Sequence, residues 1–314
     1  QYTVSRVHTL VLRLQSELLE TRRAALKELR LLAKHDDDKR MVIFDAGAVG
    51  PLLKLMDPDT SDRADGDDPD QISQQEATAT LLNLSLNHHI RGRILASGNA
   101  IESLVRTISH GLSSIAMENA AVALVNLVGK DEDIKAKVGS MGVIPPLLEL
   151  LHNGSDRGKK DAATTLYSLS SMDDNKRRMV RGGATRLLLQ FISDEGLNAG
   201  MMEKSMAILR NLVSLEEGRV AFVAEGGIKF LLEVIHERGS RKSQELALLI
   251  LFQLCRHSSR HRTMVLNMNP LLALSALHET TTNGRFKSQV LISLWLRAFV
   301  FGIGSVPFAT NLGG

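Results

Sequence analysis

The sequence predicts an all-α fold, a right-handed superhelical solenoid of about seven three-helix repeats, and three observations support this prediction. Apolar residues make up 44% of the chain but aromatic residues only 4%, which suits helices packed through small aliphatic side chains. A glycine-centred phrase recurs along the chain, and a Leu-x-Asn-Leu phrase follows each copy. The central residues of the second phrase are spaced by 43, 42, 43 and 42, a period typical of stacked helical repeats: Asn83, Asn126, Ser168, Asn211 and Gln253.

The first helix of each repeat is predicted to open with acidic residues and to carry a base one turn later. Carboxylates cap and complement a helix N-terminus, and the base then lies on the same helix face. A glycine follows this helix at Gly47, Gly142, Gly183 and Gly226, and in the second repeat Asn99 is predicted to take its place. Because glycine and asparagine reach a left-handed backbone most easily, the chain is expected to turn sharply there.

A second and a longer third helix complete each repeat. Prolines at Pro51, Pro145 and Pro146 fit the start of the second helix, where a missing N–H does no harm. The third helix shows apolar residues at helical spacing, as in Ala77 and Leu81. Three helices per repeat, one of them short, predict armadillo repeats rather than two-helix HEAT repeats.

The two ends of the chain are predicted to be atypical repeats. Residues 21–34 form a third helix in which Arg30 is aligned with Asn83, 53 residues later. The excess length is assigned to an acidic loop insertion at 57–70, which holds seven Asp. The armadillo domain is expected to span 1–297, with 270–275 and 286–297 supplying the last helices and 298–314 forming a tail. Because Gln1 is not an initiator methionine, the chain is expected to be an excised fragment.

The recurring polar residues are the candidate binding site. In a stack of repeats the third helices line a concave groove, and each of these residues is polar between apolar neighbours. An Asn amide offers two donors and one acceptor, so a row of amides can pair with the backbone of an extended peptide. In the alternative interpretation the same side chains bond to neighbouring repeats or water. The candidate groove residues are Asn83, Asn126, Ser168, Asn211 and Gln253.

Several other function classes are disfavoured by the residues. A nuclear-import receptor would place tryptophan one turn before each Asn, where this chain has Ala79, Val122, Thr164, Ala207 and Leu249. A net charge of +3 does not indicate nucleic-acid binding. No run of about 18 apolar residues predicts a membrane span. The lone Cys255 excludes an internal disulfide and fits a reducing compartment, so the cytoplasm is predicted, with the nucleus as an alternative.

Catalytic and metal chemistry is also poorly supported. Neither a P-loop nor a Gly-x-Ser-x-Gly nor a His-Glu-x-x-His motif occurs. Cys255, His257 and His261 resemble a loose zinc cluster, but a solvated basic corner with the neighbouring arginines is the favoured interpretation. The sequence therefore predicts a chain that is not an enzyme, with no catalytic residue, metal or cofactor.

The amino-acid sequence of the repeats resembles that of the armadillo domains of plant U-box E3 ubiquitin ligases. The resemblance is carried by residues 153–170 (Asn-Gly-Ser-Asp-Arg-Gly-Lys-Lys-Asp-Ala-Ala-Thr-Thr-Leu-Tyr-Ser-Leu-Ser), by 22–34, by 217–219 with 225–228, and by 253–255. It spans roughly 21–297, and the phrases occur in the family's order.

This resemblance implies a substrate- or regulator-binding part of a ligase that acts in protein ubiquitination. In that family the U-box recruits the ubiquitin-charged E2 and lies N-terminal to the repeats, and nothing like it is found in this sequence. The family's armadillo domains engage protein partners that include receptor-like kinases, which implies a protein or extended peptide in the groove. The alternative is a stand-alone armadillo scaffold without ligase activity.

Overall fold

The protein is described by a computed structural model that covers residues 2–57, 70–193, 199–236 and 240–268. The chain divides into two compact units, residues 1–178 (unit 1) and 179–314 (unit 2). Within the described ranges all regular structure is helical, in eighteen α-helices. None of these helices is long and apolar enough to cross a membrane.

Unit 1 begins with two helices and continues with three repeats of three helices each. The leading helices are α1 Tyr2–Arg13 and α2 Leu19–Lys34. The repeats are α3 Asp37–Asp45, α4 Val49–Met56 and α5 Gln71–Ser85; α6 His88–Ala96, α7 Ala100–His110 and α8 Ser114–Val128; and α9 Glu132–Ser140, α10 Ile144–Asn153 and α11 Asp156–Leu169. The helix α12, Asp173–Arg181, runs across the division between the units.

Unit 2 continues the same order of short, medium and long helices. Its helices are α13 Ala184–Ile192, α14 Ala199–Leu212, α15 Glu216–Ala224, α16 Gly227–His236, α17 Arg241–His257 and α18 Ser259–Asn267. The predicted three-helix repeat is therefore confirmed. The predicted last helices at 270–275 and 286–297, the tail 298–314 and most of the acidic loop (58–69) lie outside the described residues.

The long third helices form the centre of each unit. In unit 1 α2, α5, α8 and α11 pack side by side in chain order, and in unit 2 α14 packs on α17. Their apolar stripes are buried as predicted: Ala77, Leu81 and Leu84 of α5 are 0% exposed. Because α5 and α8 are each flanked by a third helix on both sides, only one narrow side of these two helices remains open to a partner.

The turn between the first and second helices depends on glycine. Gly47, Gly142, Gly183 and Gly226 all have φ between 77° and 82°, in the left-handed region. The prediction for the second repeat is wrong by one residue: Gly98 has φ 101°, whereas Asn99 has φ −117° and precedes α7. A glycine was available at that turn, so the less favourable asparagine is not needed there.

The first helices are anchored to the ends of the third helices by arginine. Each of these guanidinium groups reaches back to a carbonyl in the last turn of the preceding third helix or directly after it, where intrahelical partners are lacking. Arg40 Nε donates to Ala33 O (2.7 Å), Arg91 Nε to Ser85 O (2.7 Å), Arg219 Nη1 to Val213 O (3.2 Å) and Arg262 Nη1 to Cys255 O (2.8 Å). The predicted local acid–base pairs also form, as between Lys39 and Asp36 at 3.0 Å.

Candidate functional site

A polar contact between neighbouring third helices fixes their register. In unit 1 the N-cap residue of one third helix bonds to the residue five positions after the N-cap of the preceding one. Arg23 Nη2 donates to Asp70 (2.9 Å), Gln75 Nε2 donates to Ser113 Oγ (2.8 Å) and Ser155 Oγ donates to Glu118 Oε1 (2.6 Å). In unit 2 the N-cap Ser240 Oγ of α17 donates to Glu203 Oε1 on α14 (2.5 Å).

This register corrects the alignment of the first third helix. Asn83, Asn126, Ser168 and Gln253 each lie thirteen residues after their N-cap, and the equivalent residue of α2 is Leu31 rather than Arg30. Leu31 is 53% exposed. Arg30 instead forms an ion pair with Glu76 on α5. Arg30 was aligned with Asn83 because leucines flank it. That alignment would require the N-cap of α2 to be residue 17, whereas the N-cap is Leu18.

In unit 1 the predicted groove residues lie on successive third helices and are half-buried. The Asn83 Nδ2 donates to the backbone oxygen of Arg30 (3.2 Å), and the Asn126 Nδ2 donates to Ser85 Oγ (3.0 Å). The backbone oxygen of Ser168 accepts from Ser171 Oγ (3.0 Å). Each of these two amides therefore donates one hydrogen bond to the neighbouring repeat, as expected if the row has a structural role. Each also has a second N–H and an oxygen that could bond to a partner.

In unit 2 the two predicted residues are also half-buried. The backbone oxygen of Asn211 on α14 accepts from Ser214 Oγ at 2.7 Å. On α17 the Gln253 Oε1 is buried and has no hydrogen-bond partner among the described residues. A buried amide oxygen without a donor costs free energy of about 1–3 kcal/mol. An N–H from a bound chain would remove that cost.

We use the term open face for the partly exposed side of α5, α8 and α11 that carries Asn83, Asn126 and Ser168. Ala79, Val122 and Thr164 lie one turn before these residues and are each partly exposed. Ile72, Ile115 and Tyr167 are 49%, 50% and 47% exposed on the same helices. The open face thus combines exposed aliphatic side chains with the polar row, and the partly exposed carboxylates Glu76 and Asp161 lie beside them. The sequence period identified the polar row but not the exposed aliphatic residues.

The carboxylates near the open face are already engaged by protein groups. Glu118 on α8 is 5% exposed and accepts the Ser155 hydroxyl. Asp161 on α11 lies 3.5 Å from Arg157 Nε. Burial raises the pKa of Asp161 above its ordinary value, while the charge of Arg157 opposes this and that of Glu118 adds to it. Glu118 is therefore withdrawn from the surface, and Arg157 offsets the charge of Asp161, although no described group donates a hydrogen bond to its buried Oδ2.

The residues that resemble a loose zinc cluster lie in unit 2 and are Cys255, His257 and His261. The cysteine is part of the core and the histidines lie nearer the surface. Cys255 is buried on α17, and burial raises the pKa of its thiol to about 11. Burial also lowers the pKa of His261, and the charges of Arg219 and Arg260 lower it further. Within the described ranges no three His, Cys, Asp or Glu residues are grouped so as to hold a metal ion. A thiol that resists ionisation in a basic surrounding is a poor zinc ligand.

We expect the thiol of folded Cys255 to react slowly with an alkylating reagent at pH 8. A pKa of about 11 leaves about one thiol in a thousand ionised at that pH, and only the thiolate is nucleophilic. Iodoacetamide labelling followed by mass spectrometry measures the rate, and the urea-unfolded chain provides the reference. Equal rates in the folded and unfolded chains would contradict the burial of this side chain.

Comparisons with known proteins agree with the repeat architecture. The family model described as plant U-box protein ARM repeat region matches residues 6–278. U-box domain-containing protein 17 of Arabidopsis thaliana is 33% identical over 232 residues, which cover 74% of this chain and 30% of that protein. U-box domain-containing protein 8 of the same plant is 30% identical over 77% of this chain and 60% of its own length.

Solved structures show the same fold at low identity. A computationally designed armadillo repeat protein for modular peptide recognition superposes with a TM-score of 0.65, at 20% identity, over 79% of this chain and 99% of its own. A designed armadillo repeat protein in complex with the peptide (KR)4 gives a TM-score of 0.63 at 20% identity, with the same coverage. The prediction of stacked armadillo repeats is therefore confirmed.

Proposed function

Because the chain belongs to the family of plant U-box protein ARM repeat regions, we propose that it is the part of a U-box E3 ubiquitin ligase that binds a substrate or regulator. The family match over residues 6–278 carries this proposal. The chain spans 30% to 60% of the length of U-box domain-containing proteins 17 and 8. In the proposed ligase a U-box outside this chain recruits the E2, and the repeats select the protein to be modified.

The binding site in this proposal is the groove formed by the third helices. The observation that supports it is the polar row on the partly exposed side of α5, α8 and α11, next to exposed aliphatic side chains. Asn83 and Asn126 each retain an N–H and an oxygen after bonding to the neighbouring repeat, and no described residue donates to Gln253 Oε1. The proposed groove residues are Asn83, Asn126, Ser168, Asn211 and Gln253.

The proposed partner is a protein that presents an extended segment, and a receptor-like kinase is one class that fits. The designed armadillo protein bound to (KR)4 supports peptide binding by this fold. The proposed compartment is the cytoplasm or the nucleus, where E2 enzymes and kinase domains are both accessible.

Replacing Asn83, Asn126 and Asn211 together with alanine is expected to weaken partner binding at least tenfold. The loss of one inter-repeat hydrogen bond at Asn83 and one at Asn126 is expected to cost about 1 kcal/mol of unfolding free energy each, so the protein remains folded. The measurement is reconstituted ubiquitination by the full-length protein with E1, E2 and a partner captured through this chain. Thermal unfolding is followed in parallel, and Asn153→Ala, on α10, is the matched control.

The outcomes separate the two parts of the proposal. If the triple variant still ubiquitinates itself but modifies the partner tenfold less, both the ligase role and the groove are supported. Equal modification of the partner by the triple variant would reject the groove residues. A full-length protein without a U-box and without ubiquitination activity would favour the stand-alone scaffold.

A further inference from the structure

We infer that the open face of unit 1 binds an extended partner segment that is apolar at its centre and acidic at both ends. The inference rests on the proposed function, because it names the chemical class of partner for the same groove. Three features of the described residues support it: the exposed aliphatic side chains of α5 and α8, a lysine without an ion pair on each of α2 and α11, and the distance between α2 and α11.

The floor of the open face is formed by aliphatic side chains, and Glu76, which lies among them on α5, is paired with Arg30. Ala79 and Val122 lie at the same position on α5 and α8, and both are partly exposed. Ile72 and Ile115, at the first turns of these helices, leave about half of their side chains in water. Burying such side chains against aliphatic groups of a partner is favourable, whereas a charged segment would lose hydration there without gaining a partner.

A lysine borders the floor on each side. Lys27 of α2 lies in the same row as Ala79 and Val122, since it is nine residues after its N-cap as they are. Lys160 of α11 lies one turn before Thr164, the last member of that row. Both lysines are exposed, and neither forms an ion pair with a described carboxylate. Lys160 acts on the adjacent Asp161 only through its charge, which opposes the rise in the pKa of that carboxyl that burial causes.

The acids of the same region do not offset these cations at the surface. Glu76 is paired with Arg30, Glu118 accepts the Ser155 hydroxyl, and Asp161 lies against Arg157. Free positive charge therefore remains at both margins of an apolar floor. The complementary ligand carries a carboxylate at each end.

The separation of the margins sets the length of the segment. Packed helices lie about 8–10 Å apart, so three intervals from α2 to α11 span about 25–30 Å. An extended chain advances about 3.3 Å per residue, and about nine residues bridge that distance. The row from Lys27 to Lys160 crosses the third helices, so the segment is expected to run across them.

The test uses three nine-residue peptides and the purified chain. The first is Asp-Glu-Leu-Val-Leu-Ala-Leu-Glu-Asp, the second replaces the four acids with Lys and Arg, and the third replaces the five central residues with Ser. Binding is followed by fluorescence anisotropy of labelled peptide at two ionic strengths, with protein up to millimolar concentration. The first peptide is expected to bind at least tenfold more tightly than either of the others, and to weaken as salt is added.

Three variants locate the site. Lys27→Glu and Lys160→Glu are each expected to lower the affinity for the first peptide roughly fivefold, and Ile115→Glu to lower it roughly tenfold. The matched controls lie in unit 2: Arg186→Glu on α13 reverses an exposed charge, and Val220→Glu on α15 replaces a side chain that is 58% exposed. Both controls are expected to bind the peptide as the unmodified chain does.

Several results would overturn the inference. These are saturable binding of the basic peptide at equal or higher affinity, no saturable binding of the acidic-ended peptide, or equal loss in the control variants. The proposed function is judged separately, because a chain that fails these peptide tests can still direct ubiquitination of its captured partner in the assay with the triple asparagine variant.

Discussion

Replacing Gly139 with alanine is expected to destabilise unit 1 by about 3 kcal/mol, and to cost little when Asn175 is also replaced by alanine. A Cβ at Gly139, on α9, would lie 1.7 Å from Asn175 Oδ1 and 2.4 Å from its Cγ. No side-chain atom tolerates that approach, so Asn175 or the backbone of α9 must move. The clash exists only because the asparagine side chain occupies the space beside this glycine.

Asn175 cannot move away without losing hydrogen bonds. Its side chain is 0% exposed, and its Nδ2 donates to the backbone oxygens of Lys135 (2.9 Å) and Leu169 (3.2 Å). Its Oδ1 accepts from Arg178 Nη1 at 3.1 Å. The one amide thus joins α12 to the first and third helices of the preceding repeat. Asn175→Ala alone is expected to cost about 2–4 kcal/mol, because it leaves two buried carbonyl oxygens without this donor.

A double-mutant cycle tests this coupling. Urea unfolding of the single variants, the double variant and the unmodified chain gives the free energies, and hydrogen exchange of α9 amides assigns the effect to unit 1. We expect the double variant to be more stable than the sum of the single losses by at least about 1.5 kcal/mol. Strictly additive losses would show that the two residues do not share one packed space.

The repeat architecture was predictable because local rules determine it. Apolar residues at helical spacing define each third helix, as Ala77 and Leu81 do in α5, and turn glycines such as Gly142 mark where the first helix ends. These signals depend on residues close in sequence. They recur at a constant period, so each copy supports the interpretation of the others.

The contacts between repeats were not predictable in the same way. Asn83 bonds to the backbone oxygen of Arg30, 53 residues away, and Asn126 bonds to Ser85, 41 residues away. The two amides take different partners because α5 carries the Ser85 hydroxyl fifteen residues after its N-cap, where α2 carries Ala33. The misalignment of Arg30 with Asn83 has another cause, since the N-cap of α2 is a leucine that no capping rule would select.

The apolar character of the open face also emerged only from packing. Leucine, isoleucine and valine occur on every side of the third helices in the sequence, and burial separates core residues such as Leu84 from the half-exposed Ile115. The polar row was visible from sequence because it interrupts an apolar run. The floor beside it was not, since an exposed aliphatic residue looks like a core residue until its neighbours are known.

The second large effect is expected in unit 2, where Gly218→Ala should destabilise the protein by about 3 kcal/mol or more. A Cβ at Gly218 would lie 2.0 Å from the backbone oxygen of Leu212 and 2.6 Å from its carbonyl carbon. These are backbone atoms at the end of α14, so no rotamer change relieves the overlap. The first turn of α15 would have to separate from the third helix that precedes it.

The matched control is Gly92→Ala in α6. A Cβ there meets no atom within 4 Å, and the residue lies inside a helix, where alanine is preferred over glycine by about 0.5–1 kcal/mol. We therefore expect Gly92→Ala to raise the free energy of unfolding and Gly218→Ala to lower it, although both replace a glycine in a first helix. Thermal unfolding measures both, and a loss of stability in both variants, or in neither, would contradict the close approach at Gly218.

The position of Gly218 shows why the expected loss is specific to that repeat. Gly218 lies 43 residues after Asn175, and Leu212 lies 43 residues after Leu169, so the two pairs occupy equivalent places. In one repeat an asparagine side chain bonds to the carbonyl at the end of the third helix. In the other the backbone itself approaches that carbonyl, and only glycine permits it. Gly218→Asn should therefore be as damaging as Gly218→Ala, because the space that holds the amide at Asn175 is already filled by the main chain.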